Sequence, residues 1–466
     1  MNRYFNEKSN YDKYPVVNVP GMEEECRVGW RAISDRLEKD LSQIGKKVKV
    51  VVLECYQGVS DEEVVTALQS AFPASRWFFS ADAMKSPEQI DAILKQDITE
   101  DEIFGYMTRQ NMDCYFDGDK LPGIRSEIAA ITEGIVFVYG VGAAYVQPSY
   151  DLLVYADMAR WEIQMRFRCN EVSNVGISNR EERASLQYKR AFFVDWRICD
   201  RFKKKLMKKW DYVLDTNTAG NPKMATAKAI EAGLEKASRT PFRVVPFFDP
   251  GPWGGQWMKE VCDLDRDVPN FAWCFDCAPE ENSLYLGFGD VRFELPSIDL
   301  VFAYPARLLG NPVYGRFGDE FPIRFDFLDT MEGGNLSLQV HPLTQYIQEK
   351  FGMHYTQDES YYMLDAAEDA TVYLGVKEGI EPEEMIDALN EAQESGCFDA
   401  EKYVGRYPVK KHDHLLIPAG TIHCSGTNGM VLEISATPYI FTFKLWDWGR
   451  LGLDGRPRPI NIKHGQ

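Results

Sequence analysis

The spacing of apolar residues divides the chain into two textures. In the first, KVKVVVLEC is near-continuously β-branched from Val48 to Leu53, the pattern of a strand buried on both faces. A turn follows, and then a helical stretch that reaches Phe72, with Ser60 and Glu63 placed as a capping box. Further strands are predicted within Arg76–Met84, Gly134–Tyr145, Asp151–Met158 and Trp210–Asn217, with helical stretches between them. Strands that alternate with helices predict a layered α/β domain over residues 46–240. Ahead of it, residues 1–45 read as a polar lead-in segment with one helix, Trp30 to Ile44. In RFKKKLMKKW, Phe202, Leu206 and Trp210 recur about one turn apart, which predicts an apolar helical stripe flanked by solvated lysines.

The second texture covers residues 241–466, with short strands, many aromatics and frequent Pro and Gly, as in an all-β sandwich or barrel. A helical insertion, Glu378 to Gly405, interrupts it. Within LSLQVH, Gln339 and His341 stand two apart, so a strand sends both to one face. In ESYYML the same rule puts Glu359 and Tyr361 together, and IPAGTIH presents His423 from a turn. All six histidines (341, 354, 412, 414, 423 and 464) fall in the last 126 residues. Two His, one Gln and one Glu suit zinc or another borderline divalent metal. The remaining histidines read as surface or pocket-mouth residues, and the CFDC stretch (Cys274 to Cys277) as ordinary strand residues.

Composition narrows the function further. A formal charge of −19 argues against nucleic acid or an anionic membrane as partner, and an anionic substrate would need local basic residues. The first residues lack an apolar signal core, and no stretch approaches a membrane span. Ten cysteines at irregular spacings suggest no disulfide framework and fit reducing, cytoplasmic surroundings. Oligomeric state is not legible in these features.

The two metal segments resemble type I phosphomannose isomerases, which are cupins. The matching residues are SLQVHP (Ser337 to Pro342), QDESYYML (Gln357 to Leu364) and IPAGTIH (Ile417 to His423). PWGG (Pro252 to Gly255), FPIRFDFLD (Phe321 to Asp329), VLEIS, FKLWDWGR and DGRPRPI follow in the family's order, so the resemblance covers roughly residues 242–466. It implies a jelly-roll barrel with a metal held by Gln339, His341, Glu359 and His423. It also implies catalytic roles for Glu433 and Lys444, with Glu433 otherwise an edge-strand surface acid. Two lysines of the family are absent, replaced by Asp326 and Gln357, and a third basic position is Lys444. Arg324, Lys444 and Arg450, with Tyr361 on the inner wall, are the candidate substrate-binding residues.

The first half is similar to nucleoside kinases of the P-loop class in its order of strand, turn and helix. The equivalent turn, ECYQGVSDE, has one Gly, no Lys and several acids, so the phosphate-cradling motif is missing. Many phosphomannose isomerases continue beyond the last matched motif, so the chain is expected to be a short form or part of a longer one. The leading expectation is a metal-dependent isomerase acting on a small sugar phosphate, mannose 6-phosphate and fructose 6-phosphate. The alternatives are a non-catalytic sugar-binding or regulatory protein and a metal cupin isomerase acting on a different sugar.

Overall fold

The computed structural model of the protein describes residues 8–437, 439 and 441–466. They form two compact units, each assembled from separated stretches. One contains Val16–Phe242 and Ser283–Tyr314; the other contains the segment ending at Pro15, Arg243–Asn282 and Gly315–Gln466. The expected consecutive arrangement of lead-in, α/β domain and β domain is therefore interleaved. Residues 283–314 have the texture of the β half but fold with the α/β half. Ser283–Phe288 runs parallel to Val16–Asn18 and hairpins onto Val291–Pro296. Backbone pairing and side-chain burial decide this, and neither follows chain order. A Cβ on Gly233 would meet Leu286 Cδ1 at 2.4 Å, so the bare glycine lets that leucine pack directly against the helix Ala227–Ala237.

The α/β unit contains helix α1 (Trp30–Gln43), strand β1 (Val48–Cys55), α2 (Asp61–Ala71), β2 (Arg76–Phe79), β3 (Gly134–Gly140) and β4 (Leu152–Asp157). Helices α3 (Arg160–Arg168) and α4 (Trp196–Leu206), strand β5 (Tyr212–Asp215) and helix α5 (Ile298–Ala303) follow. The five strands are parallel in the order β2-β3-β1-β4-β5, and Lys223–Thr226 and Cys26–Val28 extend the sheet antiparallel. Val51, Val52 and Leu53 of β1 are buried, as their β-branched run predicts. Only half of the capping box forms. Ser60 Oγ accepts the Glu63 amide at 3.4 Å, but the Glu63 carboxylate accepts from Trp30 Nε1 at 3.2 Å and Gly220 N at 3.1 Å.

The lysine-rich helix α4 also departs from its pattern. Lys203 is fully buried, and its ammonium donates to Asp157 Oδ1 at 2.7 Å and Asp299 Oδ1 at 2.9 Å. Asp299 lies on α5, more than ninety residues away in sequence, so no local pattern could have identified this partner.

The β unit holds β6 (Arg324–Asp329), β7 (Leu338–Val340), β8 (Glu359–Ala366), β9 (His423–Ser425), β10 (Gly429–Ser435) and β11 (Phe443–Trp446). Two antiparallel sheets result. A six-stranded sheet runs His414–Ile417, β8, β10, β6, Trp273–Cys277, Phe247–Asp249, and a five-stranded one runs Val404–Pro408, Thr371–Val376, β9, β7, β11. Tyr361 of the first meets His423 of the second edge-on at 5.9 Å, so the inner faces oppose one another across the predicted ligands. The expected helical insertion is present as Pro382–Ser395 and Ala400–Tyr403. PWGG packs beneath β6: a Cβ on Gly255 would meet Asp329 Oδ1 at 2.1 Å.

Candidate metal centre

Register explains how distant residues converge. Across the six-stranded sheet, Glu359 pairs with Ser435 and Ser435 with Arg324, forming one row of the inner face. The next row is Tyr361, Glu433 and Asp326. Directly opposed residues of an antiparallel pair share a face, so these six side chains line one wall. Across the five-stranded sheet, Gln339 pairs with His423 on one side and Lys444 on the other.

His341, Glu359 and His423 are buried, and their ligand atoms lie within 4.8 Å of one another. His341 Nε2 is 3.3 Å from Glu359 Oε2, and His423 Nε2 is 2.5 Å from Glu359 Oε1. Each imidazole turns its other nitrogen to a backbone carbonyl. His341 Nδ1 lies 3.0 Å from Phe441 O, and His423 Nδ1 lies 2.8 Å from Thr421 O. A neutral imidazole that donates Nδ1–H to a carbonyl keeps a bare lone pair on Nε2. Two such lone pairs aimed at one carboxylate repel unless a cation lies between them. Among the described residues, His341 Nε2 and the Tyr361 hydroxyl are buried without a hydrogen-bond partner. The donor set fits a divalent metal of the zinc type. Gln339 stands beside this group: its Nε2 lies 3.3 Å from His423 Nε2, and exchanging the near-isosteric amide atoms would present Oε1 there.

Burial works against the charge on Glu359, and positive charge on its imidazole side, on the two rings or placed between them and the carboxylate, is what holds the carboxyl well below the usual range. Glu433 behaves in the opposite way. Burial, together with the charges of Asp326 and Glu359, pushes it well up despite Arg324. It is not an edge-strand surface acid, since β10 lies between β8 and β6 and the side chain is buried. Its Oε1 accepts from Arg324 Nη2, from Gln357 Nε2 at 3.0 Å and from Ser435 Oγ at 2.8 Å. Its Oε2 accepts no hydrogen bond from a donor among the described residues.

The substrate-binding candidates separate. Arg324 is 2% exposed and fully engaged: Nε donates to Asp326 Oδ1 at 3.0 Å, Nη1 to Tyr439 O at 2.9 Å and Nη2 to Glu433. Its charge is directed at Asp326 and Glu433. Gln357, in the place of a family lysine, instead bridges Glu359 and Glu433, donating to Glu359 Oε2 at 2.8 Å. Lys444 is half-buried, and burial with the Arg458 and Arg450 charges pushes it down to about 7, against Asp447. Arg450 donates to Asp447. His412 and His414 lie outside the centre against Tyr362, exposed His354 lies 3.8 Å from Glu320, and His464 meets Tyr346. The sequence reading missed Arg458, Ser337 and Asp447. Ser337 carried a signal, because it precedes Gln339 by two residues on the same alternation.

Residues 29–239 match a family described as "Domain of unknown function (DUF8485)". Mannose-6-phosphate isomerase ManA of Bacillus subtilis (strain 168) is 25% identical over 227 residues, covering 47% of this chain and 64% of the relative. Probable mannose-6-phosphate isomerase GmuF of the same organism is 30% identical over 226 residues, covering 48% and 66%. The chain thus spans just under two thirds of the length of these relatives. The crystal structure of the mannose 6-phosphate isomerase from Bacillus subtilis covers 48% of this chain and 66% of its own, with 22% identity and a TM-score of 0.40. About half of the chain therefore resembles mannose-6-phosphate isomerases in sequence. No helix among the described residues is long and apolar enough to cross a membrane.

Proposed function

We propose that the β unit, a cupin, is a metal-dependent aldose–ketose isomerase that interconverts mannose 6-phosphate and fructose 6-phosphate through a cis-enediol. The observation that carries this reading is the buried His341–Glu359–His423 cluster, with both imidazoles held by backbone carbonyls so that their Nε2 atoms face one point. Gln339, His341, Glu359 and His423 would hold a divalent ion such as Zn2+, which supplies Lewis-acid polarisation of the sugar carbonyl. Glu433 is the proton carrier. Its Oε1 is fixed by three donors, its Oε2 accepts from no donor among the described residues, and its raised proton affinity suits transfer between C1 and C2. Tyr361 closes the wall beside His423, and Lys444 pairs with Gln339 on the neighbouring strand of the five-stranded sheet.

The names of the curated relatives support this substrate. The test is turnover of mannose 6-phosphate by the whole chain with added zinc, then with a chelator, beside Glu433→Gln. Chelator-sensitive turnover that Glu433→Gln abolishes without loss of metal is the expected result. A metal-loaded wild type without turnover refutes the reading. Asp326 and Gln357 favour one other reading, an isomerase of an unphosphorylated sugar, because both stand where the family has lysine.

For the α/β unit the same reading assigns a kinase-like scaffold without phosphoryl transfer. Helix α3 packs onto the turn after β1: Arg166 Nη1 donates to Gly58 O at 2.8 Å, and a Cβ on Gly58 would meet Ile163 Cγ1 at 2.8 Å. The acids Asp61, Glu62 and Glu63 occupy the first turn of α2, where a phosphate would meet repulsion. Thermal stabilisation by Mg–ATP would overturn this assignment.

A further inference from the structure

Among the described residues, the six-stranded wall of the centre offers no unengaged cation, since Arg324 is bound on three sides. The five-stranded sheet does. Lys444 stands opposite Gln339, and among the described residues its ammonium has no hydrogen-bond or ion-pair partner. Three residues on, Asp447 accepts from Arg450 Nη2 at 2.7 Å and Nε at 3.1 Å, from Arg458 Nη1 at 2.9 Å and from Ser337 Oγ at 2.9 Å. Arg458 Nη1 also reaches Ser337 Oγ at 3.0 Å. Two guanidinium groups thus share one carboxylate, with the Lys444 amine on the strand that leads into it. The arginine side chains are 19% and 14% exposed, too enclosed for bulk water to screen them fully yet open to a ligand. Among the described residues, Arg450 Nη1 and Arg458 Nε and Nη2 donate to nothing.

Such a surplus of positive charge costs free energy until an anion joins it. Two guanidinium forks with a point-charge ammonium are the donor set that recognises a phosphate dianion. The cluster is also close to the metal ligands: Ser337 precedes Gln339 by two residues, about 7 Å along extended chain. We propose that Lys444, Arg450 and Arg458 form the phosphate subsite of the isomerase proposed above, so that the 6-phosphate is held from the five-stranded sheet and not from the Asp326 wall. The subsite rests on that reading for its substrate, but it is testable without turnover.

The probe is inorganic phosphate, titrated calorimetrically into the whole chain. The variants are Lys444→Gln, whose ammonium has no partner to lose, and Arg458→Gln, which leaves Asp447 paired to Arg450. Bound metal, measured on each protein, reports that the fold is intact. Phosphate should bind the wild type and weaken by about tenfold or more in each variant at unchanged metal content. Absent binding, or equal binding by all three proteins, overturns the subsite. Two further outcomes separate it from the isomerase reading. If variants lose phosphate but the wild type never turns over mannose 6-phosphate, the anion site stands and the isomerase falls. If the wild type turns over and Arg458→Gln leaves KM for mannose 6-phosphate unchanged, the isomerase stands and the subsite falls.

Discussion

Arg324→Met removes the single guanidinium that joins Asp326 and Glu433 inside the β unit. All three side chains are almost fully buried. At 3.0 Å from Asp326, and with an effective dielectric of about 20, one such contact is worth roughly 5 kcal/mol before desolvation. Breaking a buried pair from one side typically costs about 3–5 kcal/mol, because the partner charge is stranded. Protonation limits the loss. A carboxyl with an ordinary value near 4 takes up a proton at pH 7 for about 4 kcal/mol, and burial already pushes both Asp326 and Glu433 up. The expected cost is therefore about 3–5 kcal/mol at pH 7. It shrinks by up to about 1.4 kcal/mol per pH unit on acidification for each proton taken up, because the variant's native state then binds more protons than its unfolded state. A chain with two units has no single unfolding free energy, so the readout is hydrogen exchange of peptides covering β6 and β10. Protection there should fall by about two to four orders of magnitude, and Asp326→Asn with Glu433→Gln should restore most of it. A loss below about tenfold, with a raised KM for mannose 6-phosphate, would refute the reasoning and make Arg324 a ligand-binding residue.

His423→Ala should weaken metal binding by more than the roughly 10–100-fold that loss of an outer partner costs; unchanged metal content would remove His423 from the ligand set. Asp329 accepts Met258 N at 2.7 Å and Met331 N at 3.0 Å, and burial pushes its carboxyl up to about 7. Its native form therefore binds more protons than the unfolded form between about pH 4 and 7, so stability falls as pH rises through that window. Asp329→Asn should flatten that slope in melting temperatures measured across it, and an unchanged slope would count against the assignment. Lys203→Met strands Asp157 and Asp299 and should destabilise the α/β unit by about 3–5 kcal/mol, relieved by adding Asp299→Asn; exchange from β4 and α4 reads both effects.

Much of the centre was legible because strand periodicity is local. The two-residue spacing of Gln339 and His341, and of Glu359 and Tyr361, predicted which side chains share a face, and the structure has them so. The β-branched run of β1 and the Ser60 cap were legible for the same reason, since both depend on neighbours within one turn or strand. What the sequence could not disclose were pairings between distant segments. Arg324 reads as a spare cation until β10 is laid against β6 and Glu433 takes its charge. Lys203 reads as a solvated lysine until α5 brings Asp299 to it. Ser283–Phe288 reads as part of the β half until Val16–Asn18 pairs with it. Local sequence determined which face each side chain takes, through the backbone's fixed periods. Only the tertiary structure decided which charges meet, because a buried charge is settled by whichever partner the fold delivers.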